Sequence, residues 1–141
     1  QFYAVESTST FSELFELSQH KLERNAYNFI QGNFGSESQN MEQVCVQSVD
    51  GALFFLNDDQ MLFKIQLADF LVPGPIAYSR NSDCIFLSNS NMEVECYNYQ
   101  SMKVFTNNDL ELQKQNQAKD DKKSKLEAKW VANIGEQARQ I

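Results

Sequence analysis

Residues 44–56 read Val44-Cys-Val-Gln-Ser-Val-Asp-Gly-Ala-Leu-Phe-Phe-Leu56, two apolar runs joined at Asp50-Gly51. Asp-Gly between strand-like runs is a strong hairpin signal, because a type I′ turn needs positive φ at both central residues and its twist matches that of the strands. The stretch therefore predicts a β-hairpin on a type I′ turn at Asp50 and Gly51. A lone hairpin is marginal in water, so the neighbouring segments must supply more strands.

They do so on both sides. Residues 2–5 and 14–19 are short strand candidates flanking the turn cluster Ser7-Thr-Ser-Thr10, and residues 26–30 are another, ended by the Gly32-Asn-Phe-Gly-Ser-Glu-Ser-Gln-Asn40 loop. After the hairpin, Leu62-Phe63, Ile65 and Leu67 alternate with polar residues across 61–67, which predicts a strand with one face buried. Pro73-Gly74-Pro75 removes two backbone donors and separates elements. The cycle then restarts with strands at 76–79, 83–87 and 92–97.

A shift of 41 positions lays Val44 on Ile85, Val46 on Leu87, Leu53 on Val94 and Phe55 on Cys96, and brings Asp50-Gly51 onto Asn91-Met92. Short strands repeating at about 40 to 45 residues describe propeller blades of four strands each. The hairpin would then form the two middle strands of a blade, with 26–30 inside it and 61–67 outside. A β-sandwich of short strands gives similar spacing, so on pattern alone propeller and sandwich stay open. Residues 107–129 break the rhythm, hold half of the 12 basic residues and lack a continuous apolar stripe. They read as a polar, flexible, part-helical insertion. Strand character returns at 130–134. The rest amounts to roughly three blades at about 40 residues each, fewer than the four or more a closed ring takes, so the expectation for 1–141 is an all-β partial propeller with its ring not closed.

Composition narrows the function. A net charge of -7 argues against a nucleic-acid binder, and no run approaches the roughly 20 apolar residues of a membrane helix. The start, Gln1-Phe-Tyr-Ala-Val5, carries no initiating Met and no signal-peptide pattern, so it reads as lying inside a larger protein. Cys45, Cys84 and Cys96 have no CxxC spacing and read as buried thiols in a reduced, cytoplasmic setting. His20 is the only histidine, so Ser-His-Asp, Cys-His and His-rich metal constellations have no second His to draw on. It reads as a surface strand residue. Asp58-Asp59 and Asp120-Asp121 read as solvated turn residues before general acids or bases, and Lys119 to Lys129 as a flexible loop before a lipid-binding patch. Phe63, Phe70, Tyr97 and Tyr99 read as core before partner anchors. The residues by themselves thus predict a non-catalytic β scaffold with no catalytic, cofactor or metal site.

Four segments carry a resemblance: Val44-Cys-Val-Gln-Ser-Val-Asp-Gly51, Phe70-Leu-Val-Pro-Gly-Pro-Ile-Ala-Tyr78, Val94-Glu-Cys-Tyr-Asn-Tyr-Gln100 and Trp130-Val-Ala-Asn-Ile-Gly-Glu-Gln-Ala138, with Asn33-Phe34-Gly35 ahead of them. In order and spacing they resemble the family of the ninth Bardet-Biedl syndrome protein, the parathyroid hormone-responsive subunit of the BBSome. The resemblance implies an internal part of an N-terminal propeller, with adaptin-ear-like and helical regions further along a full chain. It implies a scaffold and interaction module of a coat-like adaptor that carries membrane-protein cargo to and from cilia. Its partners would be other BBSome subunits and, indirectly, ciliary cargo. Its place would be the cytoplasm, cilium, basal body and, peripherally, the ciliary membrane. The alternative is a propeller that binds a small ligand or glycan in its central channel.

Overall fold

The computed structural model describes residues 2–7, 12–35, 42–57, 60–67, 74–115, 126–136, 138 and 141, and gives side chains for all of these except 2–18 and 109–115. In chain order its elements are β1 (Phe2–Ser7), β2 (Ser12–Ser18), β3 (Ala26–Gly32), β4 (Gln43–Ser48), β5 (Ala52–Leu56), β6 (Met61–Gln66), β7 (Ile76–Ser79), β8 (Cys84–Ser88), β9 (Glu93–Asn98), α1 (Tyr99–Gln115) and β10 (Trp130–Asn133). They make two four-stranded antiparallel sheets, β3-β4-β5-β6 and β7-β8-β9-β10, and a two-stranded β1-β2 ribbon. This is an open partial propeller. The opening hairpin is indeed the middle of its sheet, in the register Val44↔Leu56 to Gln47↔Leu53.

The turn of that hairpin differs from the expectation. Only Gly51 has positive φ (84°), and its N–H donates to the Ser48 carbonyl at 3.3 Å. Val49 and Asp50 are therefore the central residues of a type I turn, and Gly51 takes the left-handed position of a three-residue loop. The reason is local: Ser48 Oγ accepts the Ala52 N–H at 2.9 Å and donates to the Asp50 carboxylate, which fixes the longer loop. The β8-β9 hairpin repeats the arrangement 41 residues on. Met92, at φ 61°, stands where Gly51 does, and Asn89 closes the loop by donating its N–H to the Glu93 carbonyl at 3.0 Å.

Alternation along the strands gives each sheet two apolar faces. Cys45, Leu53, Phe55 and Ile65 of the first sheet meet Ile76, Ile85, Leu87 and Tyr97 of the second in one core, the seam between the sheets. The opposite face of the first sheet gathers Val46, Ala52, Phe54 and Leu56 with Leu22. On the second sheet Phe86, Val94, Cys96, Trp130 and Ala132 share the face turned away from the seam.

The excursion between β9 and β10 begins earlier than the sequence indicated, as a helix packed on the core. Asn98 caps it, its Oδ1 accepting the Ser101 N–H at 3.2 Å. Tyr99 and Met102 are buried and Phe105 is half-buried, one stripe at a spacing of three that enters the seam. α1 lies against β6 of the first sheet. After residues 116–125, which lie outside the description, Leu126 and Ala128 return to the same core and the Lys129 N–H donates to the Cys96 carbonyl at 2.7 Å. The described residues on either side of 116–125 thus pack on the seam.

Candidate interaction surface

What a scaffold offers a partner depends on how rigidly its parts are held, so the seam comes first. Gly32-Asn33-Phe34-Gly35, which connects β3 to β4, is its latch. Phe34 is buried among Phe55 (ring centroids 5.5 Å), Tyr78 (4.6 Å) and Tyr99 (5.7 Å). Tyr99 also meets Phe55 and Phe63, at 5.2 and 5.5 Å. Edge-to-face and offset ring pairs each contribute about 0.5–1.5 kcal/mol beyond burial, so this cluster is a major tie between the sheets.

A polar clasp surrounds the rings. Asp83, in the left-handed region at φ 48°, accepts the Gly35 N–H on Oδ1 at 3.0 Å and lies 2.9 Å from the Tyr78 hydroxyl. Its carbonyl accepts the N–H of Tyr99 at 3.0 Å and Asn98 Nδ2 at 3.2 Å. The Tyr78 hydroxyl is equally close, at 2.9 Å, to the Asn33 carbonyl. Burial first, and then the Asp83 carboxylate, push the Tyr78 hydroxyl well above its ordinary value, so it stays a donor. One aspartate thereby joins the β3-β4 connection, the β7-β8 turn and the start of α1.

A second polar group lies under the β8-β9 hairpin. Glu95 is buried, and its carboxylate accepts from Asn89 Nδ2 and the Tyr97 hydroxyl, each at 2.9 Å; Asn89 Nδ2 also reaches Glu93 at 2.8 Å. These bonds satisfy an otherwise costly buried carboxylate. Gln47 is the contrary case: its side chain is fully buried and neither amide atom has a hydrogen-bond partner among the described residues.

The residues weighed for chemistry take structural places. His20 is not on a strand; it follows β2, half-buried, at the rim of a groove of about 490 Å³ on the open face of the first sheet, with Leu22, Tyr27, Phe29, Val44 and Leu56. Asp58, Asp59, Phe70, Asp120 and Asp121 lie outside the described residues, as does most of Lys119 to Lys129. Asn57, next to the first acidic pair, donates its N–H to the Gln60 carbonyl at 2.9 Å. Phe63, Tyr97 and Tyr99 are core. All three cysteines are free and buried. Burial holds the Cys45 thiol far above its usual range, and burial with the neighbouring Cys84 pushes Cys96 up to about 11, so neither is a thiolate at neutral pH. Among the described residues, no group of three or more His, Cys, Asp or Glu side chains could hold a metal ion, and no helix is long and apolar enough to cross a membrane.

What the described surface presents is shape and apolar area. Tyr27 (53% exposed) and Phe29 (68%) stand beside the groove, and Trp130, packed at 5.7 Å on Phe86, tops the open face of the second sheet.

A family model described as PTHB1 N-terminal matches residues 2–141. The chain belongs to that family. Protein PTHB1 of Xenopus laevis is 38% identical over 124 residues, covering 87% of this chain and 14% of the relative. Protein PTHB1 of Homo sapiens is 37% identical over 123 residues, with the same coverage. The chain thus spans about 14% of the length of the curated PTHB1 relatives it matches. That match takes in all four segments from which the resemblance was read.

Proposed function

We propose that this chain is a non-catalytic scaffold and interaction segment of the BBSome, the coat-like adaptor that moves membrane-protein cargo to and from cilia. The observation that carries the reading is the PTHB1 N-terminal match from residue 2 to 141. The seam supports it, since its buried groups hold two sheets together and leave the exterior to rings and loops. Contact with other BBSome subunits runs through that exterior, cargo is engaged indirectly, and the segment works in the cytoplasm, at the basal body and in the cilium, meeting the ciliary membrane peripherally through the complex. The test is to tag the endogenous gene and purify the bait from ciliated cells at moderate salt. Co-purification of other BBSome subunits is expected; a bait recovered free of them refutes the proposal.

A second reading, a propeller that binds a small ligand or glycan, has one observation in its favour: the groove beside inner strand β3, with the exposed Tyr27 and Phe29 rings. A glycan-array signal abolished by Tyr27→Ala and Phe29→Ala together would move the assignment there, and a blank array removes it.

A further inference from the structure

We draw no further inference here: the strongest candidate, the open face of the second sheet around Phe86, Val94 and Trp130, is an apolar face left unpartnered among the described residues, and nothing in the structure shows what covers it.

Discussion

Three glycine substitutions separate backbone strain from crowding at the seam. Gly135 has φ 71° with nothing among the described residues within 4 Å of an added Cβ, so Gly135→Ala meets strain alone. Gly32 has no such φ, yet its Cβ would lie 2.8 Å from Tyr78 Cδ1 and 3.0 Å from Phe34 Cε1, so Gly32→Ala meets crowding alone. Gly35 combines both, with φ 80° and a Cβ 2.8 Å from Tyr99 Cε1. Left-handed strain costs an L-residue about 1–2 kcal/mol, and alanine recovers about 0.4–1 kcal/mol by restricting the unfolded chain, which leaves roughly 0–1.5 kcal/mol for Gly135→Ala. Overpacking costs about 1–3 kcal/mol where neighbours cannot give way. Tyr99 cannot, being buried against Phe34, Phe55 and Phe63. With the same recovery from the unfolded chain subtracted, the expected losses are about 0–2.5 kcal/mol for Gly32→Ala and about 1–4.5 kcal/mol for Gly35→Ala. Urea denaturation followed by circular dichroism measures all three. A Gly35→Ala loss no larger than that of Gly135→Ala would show that Tyr99 yields, and the account of a rigid seam would fail.

Other expectations follow from the same contacts. Gln47→Met, which replaces two orphaned amide atoms by an apolar chain of similar shape, should raise stability by about 1–2 kcal/mol in the same titration, and a loss would mean that the amide is solvated. Phe34→Ala should cost about 3–5 kcal/mol, because the surrounding rings are fixed from several elements and cannot close the cavity; a loss under about 1 kcal/mol contradicts that packing. For pH, the folded value of Tyr78 is raised above its ordinary 10.0, so its contribution is complete below that value and is lost as pH rises through the folded value. Stability should fall in the alkaline range, and Tyr78→Phe should flatten that limb of the curve while lowering stability at neutral pH; an unchanged limb refutes the assignment to Tyr78. At the acid end, the Ser48 hydroxyl and then Arg24 hold Asp50 below its ordinary 3.8, so the hairpin contribution is present above that value and lost below it. Asp50→Asn should remove this acid dependence.

Much of this fold is local and was therefore legible. Period-two alternation in Leu53, Phe55, Ile65 and Leu67 marks which side of a strand is buried, and the 41-residue shift that lays Val44 on Ile85 also lays one sheet's middle strands on the other's. What was missed was decided by neighbours along or across the chain. Asp50-Gly51 looks like a type I′ pair until Ser48 binds the Ala52 N–H and lengthens the loop by one residue. The helix starting at Tyr99 hides because β9's apolar run leads straight into it; only Asn98 followed by Ser101, and the spacing of Tyr99, Met102 and Phe105, hint at the change from period two to helical period.

The latch shows why interaction surfaces are the hardest part to read. Gly32-Asn33-Phe34-Gly35 looks like any connecting loop in its own window, and its meaning comes from Tyr78, Asp83 and Tyr99, each more than 40 positions away. A glycine in such a loop can mean a turn, or it can mean that another part of the chain arrives where a Cβ would sit. Gly32 is of the second kind and Gly35 is of both, and only the three-dimensional contact tells them apart.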